Sequence, residues 1–179
     1  MASTENQAAS ARKISVRPAS ADDSEFLIHV YASIRRDEMA SWGWSPAQQS
    51  SFVRMQYDVR QRGYAAAYPA AVVSVVSVDG VPAGSIIIFR GPAEIRLLDI
   101  SLLEEYRGHG IGRDLIATLL SEAARSNFPL RLNVLRSNRA AHLYERLGFV
   151  AKGGDAMYCE MEWAPAPGGE NFEARVLGE

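Results

Sequence analysis

Gly108, Gly110 and Gly112 stand at alternate positions between a strand-length apolar run and a run of helical period, and this junction restricts the chain more than any other stretch. Ahead of it, residues 93–103 are apolar and branched over the length of a strand. Behind it, Ile111, Leu115, Ile116, Leu119, Leu120 and Ala123 recur at helical spacing. A helix start leaves about four backbone N–H groups without intrahelical partners, and the aligned peptide dipoles place roughly half a positive charge there. Such a start favours an anion, most often phosphate. Glycines let the main chain approach that anion without an intervening Cβ, and Arg107 adds a permanent cation with a planar fork of donors.

The neighbouring residues restrict which phosphate ligand fits. A dinucleotide fingerprint requires Gly-x-Gly-x-x-Gly and an acidic residue roughly 20 positions later, at the end of the next strand. Here the glycines fall at every second position, and the next strand-like run, 130–135, ends at Arg136-Ser137-Asn138. A P-loop would need Gly-Lys-Ser/Thr after the glycines, and none follows.

The chain of 179 residues suits one domain with a real core. We expect a lead-in over 1–12, rich in Ala, Ser, Asn and Gln, one domain over 13–163 and a Pro/Gly/Glu tail over 164–179. The net charge of −2 offers no overall basic surface and argues against nucleic-acid binding. Cys159 is the only cysteine, so no internal disulfide is expected. No apolar run approaches the roughly 20 residues that span a bilayer, and no signal-peptide core is seen at the N-terminus, so the expected setting is cytoplasmic with no membrane partner.

Hydrophobic period gives the element order. Residues 14–18 alternate as a strand, and Ser20 caps an acid-rich helix carrying Phe26, Leu27, Val30 and Ile34. Ser45-Pro46 opens a second helix, to about Ala66, with Phe52, Met55 and Val59 along one side. Residues 72–78 and 81–89 flank an Asp79-Gly80 hairpin turn, and Arg90-Gly91-Pro92 returns the chain into 93–103. After the glycine turn and its helix come strand 130–135, helix 138–147, and strands 149–152 and 157–163. In the last of these Met157, Cys159, Met161 and Trp163 are expected to face inward. This α/β (α+β) order predicts a mixed sheet with helices on both faces.

Two motifs in this order resemble the GNAT superfamily of N-acetyltransferases. Its Arg/Gln-x-x-Gly-x-Gly/Ala signature is matched by Arg107, Gly110 and Gly112. Its Asn-x-x-Ala-x-x-Leu/Phe-Tyr-x-x-x-Gly-Phe element is matched by Asn138, Ala141, Leu143, Tyr144, Gly148 and Phe149. The resemblance covers about 14–163 and is strongest from Ala93 onward. It implies a mostly antiparallel mixed sheet of about seven strands, splayed where acetyl-CoA lies, and no metal. Gly108, His109, Gly110, Ile111, Gly112 and Arg113 would join Arg107 around the diphosphate, and Ile100 and Leu102 would pair through their main chain with the pantetheine arm. Asn138 would cap its helix and touch that arm.

By the same resemblance Tyr144 is the general acid. A phenol of unperturbed pKa about 10 stays protonated near neutrality and can donate to a thiolate of about 8.5. An aromatic on an amphipathic helix is also an ordinary core residue. Glu94, in Ala93-Glu94-Ile95, occupies the place of the glutamate base of the histone-acetylating branch. Asp99 on the same strand, at opposite parity, is its rival, and a water relay is the third option. Arg35, Glu38, Trp42 and Trp44, with Arg36, Asp37, Met55 and Gln56, fall in the helix-pair region that lines the acceptor site. Two tryptophans there would bracket an apolar acceptor or simply cap the core. His29, His109 and His142 show no metal-ligand spacing. The expected activity is acetyl transfer from acetyl-CoA to a primary amine, of a small molecule or a protein, by direct attack. The alternative is a non-catalytic acyl-CoA-binding or sensory domain. The last strands allow a homodimer.

Overall fold

The computed structural model describes residues 12–165; the expected lead-in and tail lie almost wholly outside them. Seven strands form one sheet, β1 (Ile14–Pro18), β2 (Val72–Val78), β3 (Val81–Arg90), β4 (Ile95–Leu102), β5 (Leu130–Leu135), β6 (Val150–Gly154) and β7 (Tyr158–Trp163), in the order β1-β2-β3-β4-β5-β7-β6. All pairs are antiparallel except β4 with β5. Four α-helices connect them, α1 (Ser24–Ala40), α2 (Pro46–Ala67), α3 (Ile111–Ser126) and α4 (Ala140–Arg146). Pro46 stands in the first turn of α2 behind a reciprocal capping box between Ser45 and Gln48, which satisfies two donors at the helix start.

The main core lies between α3, α4 and one face of the sheet. Leu115, Ile116, Leu119 and Leu120 of α3 pack there with Ile95, Leu97, Leu130, Leu132 and Met161. Burial of each such side chain contributes about 1.5–3 kcal/mol. Helices α1 and α2 cover the opposite face over β2 to β4. Its inward residues there include Val75 and Ile87, both almost fully buried.

The feature that positions the site is where the central pair separates. Strands β4 and β5 pair only through Ile95–Leu130, Arg96–Arg131 and Leu97–Leu132. Beyond that, β4 stays with β3, while β5 stays with β7 as far as Leu135 opposite Tyr158. Residues 98–102 and 133–135 therefore diverge.

Several expectations need correction. Strict alternation puts Glu94 and Asp99 on opposite faces, but Ile87 pairs with Asp99 and Ile88 with Leu97, leaving Leu98 as an extra bulge residue. The bulge turns Asp99 toward α2, the side to which Arg96 also points, as Asp99 meets Arg60 and Arg96 lies over Tyr68. On α2, Met55 and Val59 are about half exposed; the inward stripe is Val53, Tyr57, Arg60 and Tyr64. On α1, Ile34 is exposed, whereas Leu27, Val30, Tyr31 and Met39 are buried. Met157 is 64% exposed, because the Asp155 carboxylate accepts from the N–H groups of Met157 and Tyr158 and holds a turn until the strand begins.

Candidate functional site

A turn of 3-10 helix over Glu104–Tyr106 ends β4, and residues 107–110 carry the chain into α3. Gly108 and Gly110 have φ of +75° and +83°, a region that side-chain-bearing residues resist, and Gly110 is the N-cap of α3. No side chain caps this helix start. Gly112 is different: its φ is ordinary, and a Cβ built on it would meet nothing within 4 Å. The fold itself does not demand glycine at 112, so its bareness fits a ligand that approaches the main chain. Ile111, fully buried, anchors the turn, while His109 and Arg113 are exposed at its rim.

Arg107 also ties the turn to its surroundings. Its Nε donates to the Leu102 carbonyl at 2.8 Å and its Nη2 to the Ser33 hydroxyl at 3.4 Å, which fastens the turn to the end of β4 and to α1. Arg12 donates to the His109 carbonyl at 3.1 Å from the outer side.

The turn opens onto the diverging edge of β4. The N–H of Leu103 donates to Ala83 on β3, so alternation points the main-chain groups of Ile100 and Leu102 away from β3, toward the split. The Leu102 carbonyl is taken by Arg107, which leaves its N–H for a guest.

Tyr144 comes from α4 on the other side of the split. Asn138 Oδ1 accepts from the Ala140 N–H at 2.9 Å and so satisfies a donor at this helix start, as expected. Tyr144 is buried in the main core, edge-on to Phe149 at 5.6 Å. Burial, then the negative charge of Asp99, push its pKa up to about 12. Its phenol is not a polar group stranded in hydrocarbon: among the described residues only Arg96 Nε is fully buried without a hydrogen-bond partner.

Glu94 lies just ahead of β4 and is no solvated strand end. Arg131 Nη1 reaches it at 2.7 Å and Arg96 at 3.4 Å; Arg131 also bonds Glu162 at 2.7 Å. Burial raises the Glu94 pKa, but the hydrogen bonds from Arg131 and Arg96 outweigh it and hold the carboxyl below its ordinary value. Asp99 lies 2.6 Å from Arg60 and accepts from the Ser101 hydroxyl at 3.0 Å. Behind it a notch of about 10 Å³, room for about one water, is lined by Tyr57, Gln61 and Ser85 among others.

Arg35, Glu38, Trp42 and Trp44 gather elsewhere. The tryptophan rings meet at 4.8 Å and each meets Phe52 at 5.3 Å; Arg35 lies over Phe52 and pairs with Glu38. This group joins Tyr31, Met39 and Val53 in a second core at the α1–α2 junction, apart from the core that holds Tyr144. Sequence reasoning missed Arg60, Tyr57 and Tyr64. The signal was their spacing from Val53, i+4, i+7 and i+11, readable once polar residues are allowed on an inward face. Among the described residues no group of three or more His, Cys, Asp or Glu is placed to hold a metal, and no helix is long and apolar enough to cross a membrane.

Residues 69–151 match the family model of the acetyltransferase (GNAT) domain. Among curated proteins, none matches the chain. The chain is similar in fold to the PaiA N-acetyltransferase from Thermoplasma acidophilum in complex with coenzyme A (TM-score 0.63, 22% identity, covering 85% of this chain and 99% of that one). It is also similar to the ribosomal-protein-S18-alanine N-acetyltransferase from Escherichia coli (TM-score 0.60, 21% identity, 89% and 99% covered). A third likeness is to a histone acetyltransferase HPA2 and related acetyltransferase from Corynebacterium glutamicum (TM-score 0.61, 21% identity, 86% and 97% covered).

Proposed function

We propose that this chain, which carries an acyltransferase domain of the GNAT family, moves an acetyl group from acetyl-CoA to a primary amine by direct attack within a ternary complex. The observation that carries the reading is the bare cradle at 108–112, opening onto the unpaired edge of β4 with Tyr144 across the split. Acetyl-CoA, when bound, supplies an acyl group already activated as a thioester. The main chain at Gly108, Gly110, Ile111 and Gly112 holds its diphosphate, with His109 and Arg113 at the rim. Arg107 fixes the turn, and Ile100 and Leu102 offer main-chain partners to the arm.

Attack needs a neutral nitrogen, so the ammonium must first lose a proton. Glu94, kept ionised by its arginines, can take it through water, and Asp99 is the alternative acceptor on the same side of the sheet. Tyr144 keeps its proton through neutral pH and releases it to the sulfur as the C–S bond breaks and the C–N bond forms, and the second proton shed by the nitrogen returns through water to the phenolate. The same raised pKa, owed to burial first and to the charge of Asp99 second, makes the phenol a reluctant donor until charge develops on the sulfur. Asn138 orders the start of the helix that carries Tyr144.

One observation favours a non-catalytic acyl-CoA-binding domain instead: Tyr144 packs as a core residue and would be retained for that alone. Thiol release measured against a panel of amines, together with calorimetry of acetyl-CoA, separates the two. Turnover with one or more amines is expected; tight binding with no turnover on any amine would establish the sensor.

A further inference from the structure

Helix α2 reaches β4 at two successive turns. Arg60 meets Asp99 at 2.6 Å with both side chains only about one-fifth exposed, at 21% and 19%. One turn on, the Tyr64 hydroxyl donates to the Leu98 carbonyl at 3.1 Å. These contacts fall on the bulge, Asp99 opposite Ile87 and Leu98 extra. The Arg60 guanidinium is seated between two rings, 5.1 Å from Tyr31 and 5.4 Å from Tyr64. The Ser101 hydroxyl holds the second oxygen of Asp99. A bulge residue lies outside the ladder, and from this point β4 also lacks β5, so the sheet fixes its edge on one side only. The missing restraint comes from α2.

We propose that Arg60 and Tyr64 are positioning residues for acetyl transfer, clamping the Leu98 bulge and the Asp99 carboxylate and thereby setting the edge of β4 along which the acyl arm runs. The inference rests on the acetyltransferase reading above. It explains why α2 spends its inward stripe on polar side chains, and why Asp99, close enough for its charge to act on Tyr144, does not wander.

The test uses the full chain with Tyr64→Phe, Arg60→Met and Arg60→Lys. Tyr64→Phe keeps the ring over Arg60 and loses the hydroxyl, with its bond to the Leu98 carbonyl and its contact with the Arg60 guanidinium. A misplacement of about 1 Å can cost 10²-fold in rate, so kcat should fall about tenfold in Tyr64→Phe and about a hundredfold in Arg60→Met. Arg60→Lys should recover part of the second loss, and acetyl-CoA affinity should fall by much less than kcat in all three, because the cradle proposed for the diphosphate lies away from both side chains. Amide exchange at Ile100 and Leu102 should quicken in Tyr64→Phe. Wild-type kcat in both removal variants, or kcat and acetyl-CoA affinity falling in parallel, would show that the α2 contact is packing and no more. If Arg60→Met does not fold, Tyr64→Phe decides alone. If the wild type neither binds acetyl-CoA nor turns over any amine, the acetyltransferase reading fails, and amide exchange in Tyr64→Phe still decides whether the clamp exists.

Discussion

The two ends of the split are built from opposite materials. At the cradle end the groups proposed to bind are main-chain N–H donors, and what qualifies the residues there is the lack of a side chain, most clearly at Gly112. At the inner end the roles proposed for Tyr144, Glu94, Asp99 and Arg60 rest on side chains, which meet neighbours such as Phe149, Arg131 and one another. Binding and chemistry should therefore separate under mutation. The cradle is spoiled by adding atoms, the inner end by removing them.

The largest effect is expected from Gly112→Asp. An acidic residue in the first turn suits the helix dipole, and the added Cβ meets nothing, so melting temperature should hold. A carboxylate in the place of the diphosphate should weaken coenzyme A binding about a hundredfold, given the several kcal/mol at stake between like charges at close range. Calorimetry that returned wild-type affinity would remove the cradle from the account. Tyr144→Phe should do the converse, lowering kcat about a hundredfold as the loss of a general acid does, with coenzyme A affinity unchanged. Unaltered kcat would leave Tyr144 as packing only.

Glu94→Gln tests both ends of its own role. Expected are a roughly tenfold drop in kcat, at the low side of general-base contributions, and about 1 kcal/mol less stability at pH 7 from the broken pair with Arg131. The Glu94 carboxyl sits below its ordinary value in the folded chain. Its stabilisation is therefore complete above the unfolded value of about 4.3 and is lost as pH falls through the folded one. Urea midpoints of wild type and variant should differ at pH 7 and converge in acid. A stability loss with unaltered kcat would pass the proton to Asp99 or to water. The smallest effect belongs to Met157→Ser, where an exposed side chain should move stability by less than about 0.5 kcal/mol. A large loss in urea titration would show that Met157 packs inward after all.

Main-chain function was legible in the sequence because glycine leaves a mark that does not depend on partners. Residues 107–112, flanked by a strand and a helical run, announced the turn, and β2 and β5 were bounded to the residue. Side-chain function was legible only as far as the motif around Asn138 and Tyr144 reached. The Leu98 bulge is fixed by the pairing of Asp99 with Ile87 and of Leu97 with Ile88, which no local period records, and so the side of Asp99 was misread. Glu94 finds Arg131 through cross-strand register, again a non-local fact. On α2 the apolar count followed Phe52, Met55 and Val59, while the face that turned inward carried Tyr57, Arg60 and Tyr64, since ion pairing and aromatic stacking made polar residues acceptable there. Arg107, placed by its charge beside the diphosphate, spends its donors on Leu102 and Ser33.

The lips of the cleft belong to separate antiparallel strand pairs, β4 tied to β3 and β5 tied to β7. An extended guest threading between them completes hydrogen bonding on an edge already vacant and ruptures none. Admission would thus carry no penalty of unzipping, and the three paired positions at the base of the gap would keep its two sides joined.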